Sequence, residues 1–151
     1  TTIPLILGSD GRKMSKSYDN HIPLDYTEEQ TTKRIMTYFT DPEKLRKNDP
    51  GRPEICPVYL LHQIYTPAHA SEIAPPCRTG ELGCVECKGK LAKNLNEQLA
   101  PIRKKRGELL KEPDYIWGVL EAGANRARQR AQNMMEKARS AMKIDYRKKK
   151  K

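Results

Sequence analysis

Residues 10–20 read DGRKMSKSYDN, which sets Gly11 and three cations, Arg12, Lys13 and Lys16, beside the hydroxyls of Ser15 and Ser17, with no apolar run around them. Two lysines three positions apart, interleaved with serines, can wrap several donors around one multiply charged anion, and a triphosphate is the obvious candidate. In a site partly shielded from water, an ammonium a few ångströms from a developing phosphate charge contributes several kcal/mol at an effective dielectric of roughly 20. A loop also lets those charges arrive as phosphate charge builds, which favours a transition state over bound substrate. On composition alone, a solvated Lys/Ser surface loop accounts for the same residues.

The second constellation is Cys56, Cys77, Cys84 and Cys87, all the cysteines of the chain, spaced C-x20-C-x6-C-x2-C. Four thiols confined to one block point to metal before disulfide, with a disulfide pair or unrelated free thiols as the alternative. Metal binding would supply the order that a proline- and glycine-rich stretch lacks. A structural zinc usually takes two close pairs, and only Cys84 with Cys87 forms one here. A four-iron, four-sulfur cluster also takes four thiolates and tolerates less regular spacing. His62 and His69 are lone and read as packing or surface residues.

Elements must position these groups. TTIPLILG is a short β-prone segment with no partner strand nearby, so it reads as a piece of a larger sheet protein. Thr27 with Gln30 forms a capping box, and Ile35, Met36 and Phe39 supply the stripe of a helix that should end near Asp41-Pro42. Pro57 suits the first turn of a second helix running through Val58, Leu61 and Ile64. Residues 66–90 are interrupted by Pro67, Pro75, Pro76, Gly80, Gly83 and Gly89, so little regular structure is expected beyond a short helix near Ala70. From Lys90 the helical spacing returns through Leu91, Leu95, Leu99, Ile102 and Leu109, with a kink expected at Pro101. A last helix starts at Pro113. Its stripe of Ile116, Leu120, Ala124, Ala127, Ala131, Met134, Ala138 and Met142 reads as core.

At 151 residues and 36% hydrophobic, the chain can build one modest core that helices with wide polar faces would satisfy. No apolar run reaches membrane-spanning length, which leads to the expectation of a cytoplasmic protein with no membrane partner. The net charge of +10 is unevenly placed. Lys and Arg match Asp and Glu at eight each over residues 1–50 and five each over 51–100, but outnumber them sixteen to six over 101–151. A concentrated basic field suits a polyanion, with Arg103, Lys104, Lys105 and Arg106 as its densest cluster and Arg126, Arg128 and Arg130 further on. Ordinary solvated helix faces account for any single arginine equally well.

KMSKS at Lys13 to Ser17 matches, letter for letter, the second signature of class I aminoacyl-tRNA synthetases. Together with LGSDGRKMSKSYDN, TDPEKLR, NEQLAPIRKKRGELL and VLEAGANRARQRAQ, it resembles the C-terminal part of bacterial tryptophanyl-tRNA synthetases over nearly the whole chain. In that family the loop clasps ATP, with Mg2+, during amino-acid activation, and the helical part recognises the tRNA anticodon. The resemblance implies that Lys16, assisted by Lys13, contacts ATP phosphates, that Met14 lies by the adenosine, and that Ser15 and Ser17 shape the loop. CPV followed by CRTGELGCVEC resembles the subset that carries a four-iron, four-sulfur cluster, implying Cys56, Cys77, Cys84 and Cys87 as ligands, with zinc as the alternative and a structural, tRNA-positioning role.

The expected fold is therefore mainly α: a helical anticodon-binding bundle with a short N-terminal remnant of a Rossmann-like nucleotide-binding domain. Its expected parts are the end of the catalytic domain with the loop at 1–20, the anticodon-binding domain with its cysteine insert at 21–112, a helix packing back on the body at 113–146, and a disordered basic tail at 147–151. The partners implied are tRNA(Trp), with ATP and tryptophan reaching the chain through a catalytic domain it lacks, and a second copy in a homodimer. No HIGH-like segment or tryptophan pocket is present, so the chain alone is expected to be inactive. A stand-alone metal-stabilised nucleic-acid-binding module and a related tyrosyl enzyme are the competing expectations.

Overall fold

In the computed structural model, which describes residues 5–144, a polar loop is followed by five helices. These are α1 (Glu28–Met36), α2 (Pro57–Tyr65), α3 (Pro67–Thr79), α4 (Cys84–Leu109) and α5 (Pro113–Ala141). There is no strand among the described residues: Leu7 makes one isolated antiparallel bridge with Lys13. Among the described residues, the β-prone opening pairs through Leu7 with the chain's own return.

Helix α1 begins at a side-chain cap, and three of the others begin at a proline. At α1 the Thr27 hydroxyl accepts the Gln30 N–H at 3.2 Å and the Gln30 side chain accepts the Thr27 N–H at 2.9 Å, satisfying two otherwise orphan donors. Glu28 and Glu29 in the first turn and Lys33 and Arg34 in the last complement the helix dipole. The helix stops at Met36, short of Asp41, because the Phe39 N–H turns away to the Ser9 carbonyl at 2.7 Å. Prolines open α2, α3 and α5, where a missing N–H costs nothing.

The stretch from 66 to 90 departs from expectation. It is helical almost throughout, with Pro75 and Pro76 inside α3 and α4 starting at Cys84 rather than Lys90. Burial of Ala70, Ile73 and Ala74 on the core side holds α3 together across the two prolines. The break falls instead at Gly80, whose φ of 83° is a left-handed conformation, and where a Cβ would meet the Asn48 carbonyl oxygen at 2.2 Å. Helix α4 likewise continues through Pro101 to Leu109.

Residues Thr1–Lys104 and Lys105–Lys151 form two compact units. In the first, Ile35 and Tyr38 meet Val58 and Leu61 of α2, Ile73 of α3, and Leu91, Leu95 and Leu99 of α4. A fully buried leucine such as Leu91 contributes roughly 1.5–3 kcal/mol through area removed from water. Polar ties supplement it: Arg103 donates to Asn96 Oδ1 at 2.9 Å and to Thr31 Oγ1 at 2.7 Å, fastening α4 to α1.

In the second unit no residue of α5 is buried, and Trp117 is 69% exposed. The Ile116 to Met142 stripe expected as core is therefore not core within that unit. The basic tail at 147–151 lies outside the described residues. No helix among the described residues is long and apolar enough to cross a membrane.

Candidate functional site: an anion loop and a four-thiol cavity

The loop is stapled by one side chain. Asn20, 1% exposed, donates through Nδ2 to Asp10 Oδ1 at 2.7 Å and to the Lys13 carbonyl at 3.1 Å. Its Oδ1 accepts the Ser15 N–H at 2.7 Å, and its carbonyl accepts the Ser9 N–H at 2.9 Å. Gly8 leaves room for this: a Cβ there would sit 2.3 Å from Asn20 Cγ. Hydrogen bonds from Asn20 and then Arg12 pull the Asp10 carboxyl down from its ordinary 3.8 to about 2.

Of the three cations, Arg12 is committed locally, pairing with Asp10 at 2.7 Å and lying 4.4 Å over the Tyr18 ring. Lys13 and Lys16 are exposed, and among the described residues neither ammonium has a hydrogen bond or ion pair. Ser15 caps the 3-10 turn Lys16–Tyr18, accepting the Ser17 N–H at 3.2 Å. The turn ends at Asp19 in a left-handed conformation, φ 47°, where Arg34 donates to its carbonyl at 2.7 Å and its carboxylate at 3.0 Å. Met14 is half-buried against the helical core. The arrangement is a rigid base from which two free ammonium groups project.

The four cysteines come from three helix ends: Cys56 just before α2, Cys77 in the last turn of α3, and Cys84 and Cys87 in the first turn of α4. All four line one small cavity, with Tyr59, Ile73 and Leu82 among its apolar walls. Burial pushes the Cys56 and Cys77 thiols up and the Cys87 thiol up to about 12. His62 is fully buried beside them, its Nε2 3.2 Å from the Cys87 carbonyl and its Nδ1 2.9 Å from Thr66 Oγ1, and burial lowers its pKa. It is a packing residue, as its lone position suggests; His69 is exposed.

The donor set suits a thiolate-bound group, since four soft ligands face one space. At about 20 Å³ the cavity holds roughly one water, so a four-iron centre requires the helix ends to part. Among the described residues no three His, Cys, Asp or Glu side chains are gathered closely enough to hold a single ion.

Arg103, in the basic run of α4, is turned inward onto Asn96 and Thr31. Lys104, Lys105 and Arg106 are exposed, with Lys105 3.3 Å from Glu108. Arg126, Arg128 and Arg130 are exposed on α5, Arg128 bonding Asn125 at 2.8 Å.

Three groups near these sites are not singled out by sequence. Asn20 could have been suspected from its place just after a Ser- and Asp-bearing turn. Asp41, 5% exposed, accepts from the Arg52 N–H at 2.8 Å and its guanidinium at 2.7 Å, which holds its carboxyl far below the usual range. Lys44, close to Cys77, has no sequence signal that sets it apart from other lysines.

Comparison with known proteins identifies the family. The model of the family "tRNA synthetases class I (W and Y)" matches residues 1–100. The tryptophan–tRNA ligase of Aquifex aeolicus (strain VF5) is 49% identical over 146 residues, 95% of this chain and 37% of that protein. That of Thermotoga maritima is 39% identical over 146 residues, 95% of this chain and 44% of that protein. The crystal structure of tryptophanyl-tRNA synthetase from Campylobacter jejuni with ADP and tryptophan superposes with a TM-score of 0.82 at 29% identity, covering 93% of this chain and 44% of that one. The chain thus spans less than half the length of these relatives. It belongs to the class I tRNA synthetase family that comprises the tryptophan and tyrosine enzymes.

Proposed function

We propose that this chain is the C-terminal part of a tryptophan–tRNA ligase, supplying the KMSKS loop and the tRNA anticodon-binding region. The reaction joins tryptophan to ATP with loss of pyrophosphate, then transfers the aminoacyl group to tRNA(Trp). The carrying observation is that Lys13 and Lys16 stay unpaired on a loop whose base is fixed by Asn20. Charge held ready and unneutralised is what stabilises a triphosphate as negative charge builds on the leaving pyrophosphate. Lys16 takes the main phosphate contact and Lys13 assists, with Mg2+ entering with ATP; Met14, Ser15 and Ser17 complete the ATP-binding segment. The exposed cations of the α4 run, Lys104, Lys105 and Arg106, contact tRNA phosphates, and Arg103 acts by holding α4 in place. The full-length enzyme works in the cytoplasm as a homodimer.

The deciding experiment joins this chain to the remaining length of its relatives and measures aminoacylation with tryptophan against tyrosine. Charging of tRNA(Trp) with tryptophan is expected. Charging with tyrosine, or no charging by a folded protein, overturns the reading.

The thiol cavity is read as the seat of a four-iron, four-sulfur cluster held by Cys56, Cys77, Cys84 and Cys87, which would tie three helix ends together and position the anticodon-binding face. Zinc, which also takes four thiolates, is the second reading. Protein purified without oxygen should be brown and contain iron and acid-labile sulfide. A colourless protein with one zinc selects the second reading.

A further inference from the structure

Helix α1 sends one side chain into the loop. Arg34, in its last turn and next to the fully buried Ile35, has a side chain only 18% exposed. Its guanidinium meets both polar groups of Asp19: Nη1 donates to the backbone carbonyl at 2.7 Å and Nη2 to the carboxylate at 3.0 Å, with the Tyr26 hydroxyl 3.4 Å from Nη2. A planar fork on two acceptors of one residue fixes both where that residue sits and how it is turned, which a single ammonium would not do.

Asp19 is the residue on which the Lys16 turn closes. Its N–H donates to the Lys16 carbonyl at 3.0 Å, and its φ of 47° lies in the left-handed region that side chains seldom adopt. A three-residue turn, Lys16–Tyr18, has little stability of its own, so its shape depends on what holds its two ends. Asn20 holds the first through the Ser15 N–H at 2.7 Å, and it also holds the Lys13 carbonyl at 3.1 Å. Arg34 holds the second. Asn20 thus serves both lysines, whereas Arg34 acts on the turn that carries Lys16.

Charge follows the same plan. The two carboxylates within residues 10–20 are Asp10 and Asp19, and each is paired with an arginine, Arg12 at 2.7 Å and Arg34 at 3.0 Å. Neither is left to draw the Lys16 ammonium back onto the loop.

We propose that Arg34 is a positioning residue for amino-acid activation: through Asp19 it ties the Lys16 turn to α1 and so to the helical core, presenting Lys16 from one fixed backbone. This rests on the ATP reading of the loop given above.

The test uses the protein carrying the remaining length of its relatives, as wild type, Lys16→Ala, Arg34→Gln, Asp19→Ala and the last two each combined with Lys16→Ala. Lys33→Gln, which alters an exposed pair on the same helix, is the control. ATP–pyrophosphate exchange, tryptophan affinity and helix content are measured. Arg34→Gln should lower the maximal exchange rate on the order of tenfold, with tryptophan affinity and helix content unchanged. Asp19→Ala removes an exposed carboxylate but leaves the carbonyl arm of the fork, and should lower the rate about threefold. Added to Lys16→Ala, either change should cost less than about twofold, because the group being positioned is gone. Lys33→Gln should match wild type.

A full tenfold loss on top of Lys16→Ala would mean that Arg34 acts elsewhere, and overturns the proposal. If Arg34→Gln loses helix content, Asp19→Ala decides: a slower rate that disappears in the Lys16→Ala background supports the proposal, and a wild-type rate overturns it. Wild-type exchange in Lys16→Ala overturns the ATP reading and the proposal with it. A slow Lys16→Ala beside a folded Arg34→Gln at the wild-type rate overturns the proposal alone.

Discussion

The anion loop and the thiol cavity achieve order by opposite means. The loop is polar and exposed, and its shape is fixed by hydrogen bonds that converge on Asn20. The cavity is walled by core residues, and burial raises the pKa of three of the thiols facing it, Cys56, Cys77 and Cys87. A staple made of the chain's own donors and acceptors is complete by itself and leaves two lysines free to meet a ligand. The four thiols are brought to one small cavity from three helix ends, so their arrangement depends on how those helices pack. Under the proposed function the first region would meet a transient anion and the second would keep a resident centre.

Breaking the resident centre should have the largest effect. Cys87→Ser is expected to abolish metal retention and lower stability by an amount on the order of 5 kcal/mol or more, since metal binding to such a site is folding free energy. Metal analysis with chemical denaturation checks this, and hydrogen exchange in residues 8–20 should hardly change. Next comes the core common to both regions. Leu91→Ala should cost roughly 2–5 kcal/mol and lower protection in loop and cavity together. Asn20→Ala reverses the first outcome: the loop should exchange faster by the equivalent of about 1–3 kcal/mol while metal content stays at wild type.

The smallest effect is on pH. The Asp10 carboxyl has a folded pKa near 2, below its ordinary 3.8. The unfolded loop therefore binds the proton more readily, so the contribution is whole above about pH 4 and is lost as pH falls through about 2. Exchange in the loop of wild type should quicken across that window, and Asp10→Asn should remove the dependence. A loop equally protected at both ends of the window would show that Asp10 does not help to hold it.

The starts of α1, α2 and α5 were legible because caps and first-turn prolines act locally: Thr27 with Gln30, Pro57 and Pro113 each decide a start within one turn. The helices across residues 66–90 were not. Pro75 and Pro76 argue locally against α3, and what overrides them is burial of Ile73 and Ala74, with α3 packed against α2. The Lys/Ser loop and the cysteine block stand out as candidates from residue types and spacing, since such residues are unusual in so short a stretch. The roles of Asn20, Arg34 and Arg103 depend on which side chains are brought beside them. An arginine turned inward does not differ in sequence from its exposed neighbours.

The central claim is that Lys16 serves the activation of an amino acid by ATP. Its most direct test is ATP–pyrophosphate exchange by the protein carrying the remaining length of its relatives, compared between wild type and Lys16→Ala, with tryptophan affinity measured in parallel. The account predicts an exchange rate lower by on the order of 100-fold with tryptophan affinity unchanged, because the charge is needed mainly in the transition state. Undiminished exchange, or a loss matched by equal loss of tryptophan binding, would contradict it.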